Sequence, residues 1–244
     1  MSQAIAGAPF EYVGGELALF EKARNWKAYW SGQIQEYLRG DILEVGAGIG
    51  ANTRLLANYT FDRWTCLEPD PALLTQIGIL PGHRHEYLAG TVQSLLPDAR
   101  YNAILYIDVL EHIEDHSLEL VDAARHLKPG GVLIVLSPAH PFLFTPFDAA
   151  IGHYRRYTRR SLQAVVPGTL KPVRLRYLDS AGMLASAGNR LLLQSAMPTE
   201  RQILLWDRFL VSASRWIDPA LGWTVGKTVL GVWRREAGNA GFPS

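Results

Sequence analysis

The chain has 244 residues, of which 48% are hydrophobic and 19% charged, enough apolar sequence for one globular domain. Its 24 basic and 23 acidic side chains give a formal net charge of +1, so no overall charge draws it to nucleic acid or to an acidic membrane. The single cysteine excludes an intrachain disulfide, and we expect a cytoplasmic location. We find neither the pattern of a signal peptide nor an apolar run long enough to span a membrane.

The first element is an aromatic-rich segment, residues 20–38, which is predicted to be a helix. The next stretch, 42–52, reads I-L-E-V-G-A-G-I-G-A-N: a short buried strand that runs into three alternating glycines. Glycine permits positive φ angles and leaves room for a ligand beside the backbone, and the helix that follows presents free N–H groups.

Two kinds of nucleotide site share this glycine pattern. Gly46 and Gly48 with Ala51 fit the dinucleotide pattern G-x-G-x-x-A. The three glycines with Glu44 ahead of them fit the E-x-G-x-G-x-G pattern of S-adenosylmethionine (SAM) sites. Glu68 ends the next strand, where a carboxylate accepts ribose hydroxyls in either class. The stretch therefore predicts an adenosine-containing ligand, against the alternative of a tight turn with no ligand.

Further apolar runs alternate with helical patterns. We predict strands at 63–67, around 85–88, and at 102–107, 132–136, 173–178 and 228–234. The helical pattern at 117–127 puts Leu118, Val121, Ala124 and Leu127 on one face, and K-P-G-G is expected to stop this helix. Such alternation predicts an α/β fold with helices on both faces of a mostly parallel sheet. Ligands in such sheets bind beyond the carboxyl ends of the strands.

The rest of the chain distinguishes the two nucleotide classes. A single-domain dehydrogenase of this length would resemble the short-chain type, which needs Tyr-x-x-x-Lys, and no tyrosine here has a lysine four residues later. Glu44 has a use beside the ammonium group of SAM and none in a dinucleotide site. Both observations favour the SAM class over a nicotinamide oxidoreductase.

At this point the chain resembles a class I SAM-dependent methyltransferase of the small-molecule type. The matching pieces are L-E-V-G-A-G-I-G (43–50), L-E-P-D (67–70), Y-I-D-V-L-E-H-I (106–113) and L-K-P-G-G-V-L-I-V (127–135). The resemblance spans roughly residues 24–180, and 137–158 is similar to a bacterial subgroup. It implies a Rossmann-like seven-stranded sheet with an antiparallel last strand, here preceded by a helical insertion.

The resemblance also implies which residues contact SAM. Glu44 and Gly46 would lie near its amino acid part, with Ala47 and Gly48 in the turn. Glu68 would bind the ribose hydroxyls, and Pro69 would flank the adenosine. The remaining expected contacts lie after the third and fourth strands: Thr91, Val92, Asp108 and Val109. Thr91 departs from the family pattern, which has an acid beside the adenine.

Methyl transfer needs an aligned nucleophile and, for many acceptors, a base. Three histidines stand where they could serve, namely His112 after the fourth strand, His140 after the fifth, and His153. The alternative for each histidine is a structural role. No metal site is predicted, because the histidine and carboxylate spacing is not that of zinc ligands.

A basic and aromatic run follows the fifth strand. Arg155, Arg156 and Tyr157 are candidate substrate contacts, for instance to a carboxylate or phosphate, against the alternative of a solvated helix start. The chain has no base-flipping N-P-P-Y stretch and no basic stripe with stacked aromatics, so we expect no nucleic acid partner.

The predicted plan is one domain, 1–244, in four parts: a helical cap (1–38), a SAM-binding core (39–180), a helical insertion or lid (181–226), and the last strand and tail (227–244). In the cap, Trp26, Tyr29 and Trp30 are candidates to cover the cofactor. The alternative is that they only pack against the sheet. We interpret the apolar insertion as a wall of the substrate pocket. The alternatives are a homodimer surface and a face that rests on a membrane.

The sequence therefore predicts methyl transfer from SAM to an O or N atom of a small metabolite, with glycan- and lipid-linked acceptors included. S-adenosylhomocysteine would be the product. The alternatives are an NAD(P)-dependent oxidoreductase and a non-catalytic SAM-binding scaffold.

Overall fold

A seven-stranded sheet forms the centre of the computed structural model, which describes residues 20–78, 84–192 and 199–237, with side chains left out at 187–192. The strand order is β3-β2-β1-β4-β5-β7-β6. The strands are β1 (Asp41–Val45), β2 (Arg63–Glu68), β3 (His85–Ala89), β4 (Tyr101–Ile107), β5 (Leu127–Pro138), β6 (Leu170–Leu178) and β7 (Thr228–Arg235).

Strands β1 to β5 pair in parallel, and β7 lies antiparallel between β5 and β6. The order reverses between β1 and β4, and this is where a parallel sheet opens a crevice beyond its strand ends. The predicted α/β fold with a mostly parallel sheet and an antiparallel last strand is confirmed.

Helices cover both faces of the sheet. They are α1 (Arg24–Ile34), α2 (Ala51–Leu56), α3 (Pro71–Ile77), α4 (His116–Arg125), α5 (Pro146–Ala150), α6 (Arg159–Val165), α7 (Ser180–Leu192), α8 (Glu200–Leu205), a π-helical stretch (Trp206–Val211) and α9 (Ser212–Ala220). Short 3-10 turns include Leu110–His112 and Pro141–Leu143. No helix in the described ranges is long and apolar enough to cross a membrane.

Two hydrophobic clusters lie on opposite faces of the sheet, because successive side chains of a strand point to opposite sides. In β4, Ala103 and Leu105 belong to the cluster that α1 and the insertion cover. Ile104 and Tyr106 belong to the other, which α4 and α6 cover. Every one of these four residues is fully buried, which explains why β4 reads as a continuous apolar run.

The prediction for the helix before β5 was wrong in its end and in part of its apolar face, although Ala124 is buried. Helix α4 ends at Arg125, and Leu127 already belongs to β5. Leu118 is exposed, while Leu120 and Ala123 are buried. Strand β5 pairs with β4 through Leu127 and then again from Val132, so K-P-G-G forms an irregular stretch within the strand. A bulge of this kind accommodates residues that a regular ladder cannot pair.

The helical insertion between β6 and β7 is attached to the rest of the molecule by buried aspartates. Asp207 accepts hydrogen bonds from the backbone N–H groups of Asn25 and Trp26, at 3.1 and 2.8 Å, in the first turn of α1. Asp218 accepts from the Tyr29 hydroxyl at 2.8 Å. Both acids are nearly fully buried, so the insertion and α1 form one packed layer. Residues 193–198 of the predicted insertion (181–226) lie outside the described residues.

Candidate functional site

A cavity of about 820 Å³ opens beyond the carboxyl ends of β1 and β4. Gly46, Ala47 and Gly48 form one wall, and Asp108 lies beside them at the end of β4. Its volume is within the usual range for small-molecule sites, which is roughly 300–1,000 Å³. The crevice that the strand order predicts is therefore present, and its lining shows which predicted residues share it.

The glycines of the turn leave room for a ligand, and they are also packed closely against neighbouring side chains. Gly46 has φ +67°, and a Cβ there would lie 2.5 Å from a methyl carbon of Val109. Gly50, at φ +75°, begins α2 and would meet Ile77 at 2.6 Å. Gly46 and Ala47 donate their N–H groups to the carbonyl of Leu67. Two of the three glycines are thus required by backbone conformation and by neighbouring side chains.

Glu68 joins the glycine turn to the start of α3. Its carboxylate accepts from the N–H of Gly48 at 2.8 Å and from the N–H of Asp70 at 3.0 Å. Burial raises its pKa, and the two backbone hydrogen bonds oppose that shift. The carboxylate therefore lies at the glycine turn, as expected for a ribose-binding acid, although it does not line the cavity.

Asp108 has a left-handed backbone, with φ +55°, which is strained for a residue other than glycine. This conformation turns its side chain into the cavity, where it is solvent-accessible although protein surrounds it. The limited hydration there raises its pKa to about 6, while His153, Lys27 and Lys227 act in the opposite direction. The cavity thus contains a carboxyl group that changes charge close to neutral pH.

His153 is fixed by an acid on a neighbouring helix. Its Nδ1 lies 2.9 Å from a carboxylate oxygen of Asp148, which leaves Nε2 directed towards Glu111, 3.9 Å away. Asp148 also receives two hydrogen bonds of 2.8 Å from the guanidinium of Arg156. Although burial works against ionisation, the hydrogen bonds from His153 and Arg156 hold the pKa of Asp148 below its ordinary value.

Glu111 and His112 come from the 3-10 turn after β4 and complete this end of the cavity. Glu111 is fully buried, and one of its oxygens accepts from the Ser137 hydroxyl at 2.8 Å. Burial raises its pKa well above the ordinary value. The rings of His112 and His153 meet edge to face with centroids 4.5 Å apart, and burial lowers the pKa of His112 to about 4. Uncharged His112 is therefore the form present at neutral pH.

Several predicted cofactor residues lie behind the cavity wall. Glu44 is buried and accepts from the Thr53 hydroxyl at 2.7 Å and the Trp64 indole N–H at 2.8 Å, so it fastens α2 and β2 to β1. Val109 packs on Gly46. Thr91 caps a 3-10 turn, and Val92 is buried in a core cluster. None of these four candidates lines the cavity, and neither does Pro69.

Three predicted catalytic or substrate residues also lie outside the cavity lining. The His140 ring is 3.0 Å from the carbonyl of Gly226 and stacks on Tyr177. Arg155 donates to the carbonyls of Ile113 and Glu114. Tyr157 is buried, with its hydroxyl 2.6 Å from a ring nitrogen of His116. Of the candidates for acceptor chemistry, the structure brings His112, His153 and Arg156 together in the cavity.

Sequence reasoning missed five charged residues that line the cavity: Glu21, Lys27, Glu111, Asp148 and Lys227. Glu111 and Asp148 stand inside stretches already recognised as family-like, so those stretches were the available signal. Lys227 lies 3.4 Å from a carboxylate oxygen of Asp179 and 3.9 Å from the ring centre of Trp206. The two lysines carried no motif, because their elements reach the cavity only through tertiary packing.

Apolar side chains close the remaining sides of the cavity. Trp26 and Trp30 of α1 line it, whereas Tyr29 is turned towards Asp218. The insertion adds a further apolar wall, formed by Ile203, Leu205, Trp206, Phe209 and Leu210. The cavity thus combines a glycine turn, a polar end and a broad apolar wall. Such a site can exclude water and hold an amphipathic molecule against a cofactor.

The sequence model of a family described as "Methyltransferase domain" matches residues 43–135, from Leu43 in β1 through the glycine turn to Val135 in β5. The chain is 36% identical over 123 residues to a demethylmenaquinone methyltransferase of Tropheryma whipplei, which covers 49% of this chain and 48% of that protein.

Two further similarities concern a curated protein and a solved structure. A ubiquinone biosynthesis O-methyltransferase of Rickettsia conorii is 28% identical over 97 residues, 39% of this chain and 34% of that protein. The chain thus spans half or less of these curated relatives. The N-methyltransferase NodS of Bradyrhizobium japonicum, solved with S-adenosylhomocysteine, superposes with a TM-score of 0.56 at 15% identity, over 88% of this chain and 87% of that one. That structure shares the fold.

Proposed function

We propose that the chain is a class I SAM-dependent methyltransferase and that it transfers a methyl group from SAM to an O or N atom of a small molecule; the match of the methyltransferase-domain model to residues 43–135 supports this. The main observation that supports this proposal is a single cavity that runs from the glycine turn, at Gly46 and Gly48, to the polar end around His153. The NAD(P)-dependent oxidoreductase is not favoured, since the matched family and relatives are methyltransferases.

The glycine-turn end of the cavity fits the amino acid part of SAM. Asp108 is a carboxylate for the ammonium group, and Lys27, which lines the same region, is a cation for the carboxylate group. No acid among the described residues lies within ion-pair distance of the Lys27 ammonium, and burial lowers its pKa. A ligand carboxylate would compensate the buried charge. Glu68, at the same turn, would receive the ribose hydroxyls.

The acceptor that suits the other end is amphipathic. The wall from the insertion offers apolar contact over a broad area, while His153 and Arg156 supply polar groups. The two curated relatives carry names that refer to menaquinone and ubiquinone. We therefore propose an acceptor with a ring-bound hydroxyl or a comparable nucleophile and an apolar body, lipid-linked acceptors included.

SAM supplies an electrophilic methyl group, so the protein must orient the nucleophile and exclude water. The acceptor oxygen or nitrogen forms the new bond to the methyl carbon as the sulfur–carbon bond breaks, which leaves S-adenosylhomocysteine. Nε2 of His153 would accept the acceptor's proton, because Asp148 holds the ring through Nδ1. Asp148 would then act as a positioning residue.

A thermal-shift comparison of SAM, S-adenosylhomocysteine, NAD and NADP tests the cofactor class. We expect the melting temperature to rise with the first two compounds only. The variants Glu68→Ala and Lys27→Met should reduce the shift with SAM, whereas Arg155→Ala, outside the cavity, should leave it unchanged. Stabilisation by NAD without stabilisation by SAM would overturn the proposal.

The acceptor is tested with radiolabelled SAM and a panel of hydroxylated aromatic and prenylated acceptors. With an accepted compound, His153→Asn is expected to lower kcat by about 10²–10⁴-fold, the usual contribution of a general base. Asp148→Asn should lower kcat and alter the pH profile. Unchanged kcat in His153→Asn would leave orientation and water exclusion as the whole contribution of the protein.

The cytoplasmic location and the homodimer remain proposals. The first rests on the single buried cysteine. The homodimer rests on exposed apolar side chains of the insertion, which include Leu184 in α7 and Trp216 in α9, at 74% and 83% exposure. Sedimentation of the purified chain tests the dimer, and a monomer at all concentrations would exclude it. Cell fractionation tests the location, and recovery of the chain outside the cytoplasmic fraction would contradict it.

A further inference from the structure

We propose that Glu111, His112 and His153 bind a divalent transition-metal ion at the polar end of the cavity. One ligand atom of each, a carboxylate oxygen and two ring nitrogens, lies within 4.8 Å of the other two. All three residues line the cavity. Two imidazoles and one carboxylate that converge on one side of an ion leave its other positions open for a substrate atom.

The first independent sign of a ligand is an oxygen of Glu111. Its Oε2 accepts from Ser137, but Oε1 has no hydrogen-bond partner among the described residues, although Glu111 is fully buried. A buried carboxylate oxygen without a partner is costly, so a charged partner is expected there. Nε2 of His153 lies 3.9 Å from it, close to the roughly 3.4 Å between two ligands on a tetrahedral ion about 2.0–2.1 Å from each.

The second sign is that each ligand is held from its far side. A carboxylate oxygen of Asp148 is hydrogen-bonded to Nδ1 of His153, and the Ser137 hydroxyl donates to Oε2 of Glu111. The backbone of Gly152 hydrogen-bonds to the His112 ring. Metal ligands are usually oriented by such outer contacts, which fix the histidine tautomer and leave the other atom for the ion. This arrangement is more specific than the presence of two histidines and an acid.

The charges around the cluster also accommodate a cation. Asp108 is a second carboxylate on the same side of the cavity, and Asp148 neutralises Arg156 through two hydrogen bonds. Lys227 is paired with Asp179, 3.4 Å away. The positive groups nearest the cluster are therefore compensated. Imidazole with carboxylate ligands suits Zn²⁺, Mn²⁺, Fe²⁺ or Co²⁺ better than Mg²⁺, which prefers oxygen ligands and retained waters.

The consequence for catalysis rests on the proposed function. An acceptor hydroxyl that occupies an open position of the ion would be oriented near the methyl group and would lose its proton more readily, as metal-bound water does. The proton would pass to water in the cavity. In this state, Nε2 of His153 is a metal ligand and does not act as the base. Metal binding itself does not depend on the methyl transfer.

The test is a metal titration of the tag-free chain after treatment with EDTA and desalting. Equilibrium dialysis against MnCl₂ and, separately, ZnCl₂ is followed by elemental analysis, and electron paramagnetic resonance monitors Mn²⁺. We expect one ion per chain. Glu111→Gln and His153→Asn should each weaken binding at least tenfold, and Asp148→Asn by about 10–100-fold, the usual effect of losing an outer contact.

His140→Asn is the matched control, because His140 lies outside the cavity and should leave metal affinity unchanged. If Glu111→Gln does not fold, His112→Asn and His153→Asn keep the test decisive. An ion absent from the wild type, or bound equally well by the cluster variants and by His140→Asn, would overturn the inference. A parallel titration of the metal-free chain with S-adenosylhomocysteine separates this failure from a failure of the proposed function, since that titration needs no metal.

Discussion

At the residue scale, Gly46 combines a positive φ with close packing. Its φ of +67° is strained for any residue with a Cβ, and the added carbon would lie 2.5 Å from Val109. Gly46→Ala should therefore lower the free energy of unfolding by roughly 2–4 kcal/mol, from backbone strain together with overpacking. Urea unfolding measures the change.

Gly222→Ala is the control for this prediction. Gly222 also has a positive φ, +59°, but nothing lies within 4 Å of an added Cβ. Only the strain of roughly 1–2 kcal/mol is expected there. The double variant Gly46→Ala with Val109→Ala should be less destabilised than the sum of the two single variants. Equal losses at Gly46 and Gly222 would contradict the packing argument.

Glu44 provides a pH-dependent prediction. Burial raises its pKa from the ordinary 4.5 to about 7, with the donors Thr53 and Trp64 opposing the shift. Between these values the folded chain binds the proton and the unfolded chain does not, so the free energy of unfolding falls as pH rises, by roughly 3 kcal/mol in total. Glu44→Gln removes this loss, because the amide stays neutral.

Denaturant unfolding at pH 5, 6, 7 and 8 measures the effect. The free energy of unfolding of Glu44→Gln relative to the wild type should increase from pH 5 to pH 7.5 and then stay level. Glu114→Gln, at an exposed position, serves as the control and should show no such trend. A constant difference between Glu44→Gln and the wild type across this pH range would show that the carboxyl group is ionised throughout.

At the element scale, the insertion fixes the start of α1. Asp207 accepts from the N–H groups of Asn25 and Trp26, and thus caps a helix about 180 residues away in sequence. Asp207→Ala should cost about 1–2 kcal/mol, as the loss of a helix cap does. Hydrogen exchange at those two amides should become faster. Arg208→Ala, next to it in sequence and away from α1, should leave their exchange unchanged, and equal effects would contradict the capping role.

The K-P-G-G stretch shows where an element prediction failed. Lysine followed by proline and glycines is typical of a helix end, yet α4 ends before it and the stretch lies within β5. Lys128 donates to Asp41 at 2.7 Å and to Asn102 at 3.0 Å. These contacts hold the stretch beside the amino ends of β1 and β4. They depend on residues distant in sequence, so local patterns could not reveal them.

At the scale of the whole molecule, the cavity wall from the insertion should affect the acceptor more than SAM. Leu205 is 58% exposed and lines the cavity. Leu205→Ser should therefore raise the KM for an apolar acceptor several-fold, since each lost apolar contact costs about 1 kcal/mol. The dissociation constant of S-adenosylhomocysteine and the melting temperature should change little. Steady-state kinetics and calorimetry provide the two constants.

The neighbouring residue supplies the control. Leu204 is 43% exposed and is not part of the cavity lining, so Leu204→Ser should keep the wild-type KM for the acceptor. Equal increases in both variants would indicate a general change of the helix. A rise in the dissociation constant of S-adenosylhomocysteine in Leu205→Ser would place that wall at the cofactor end.

The sequence by itself determined the order of strands and helices, the glycine turn and the resemblance to class I methyltransferases. Apolar runs such as 102–107 must be buried on both faces, and the glycine pattern reflects local backbone conformation. Both features can therefore be predicted without knowledge of tertiary contacts. The same holds for His112, Asp108 and Glu68, because residues at strand ends meet at one edge of a parallel sheet.

Only the tertiary structure decided which side chains share the cavity. Glu44 and Tyr157 have suitable chemistry, but they bond to Trp64 and His116 inside the core. Glu111 and His153 are 42 positions apart in sequence, yet their side chains lie 3.9 Å apart. Side-chain direction and the position of the insertion follow from packing between distant elements. Local sequence patterns carry no record of that packing, which is why the acceptor end of the site emerged only from the fold.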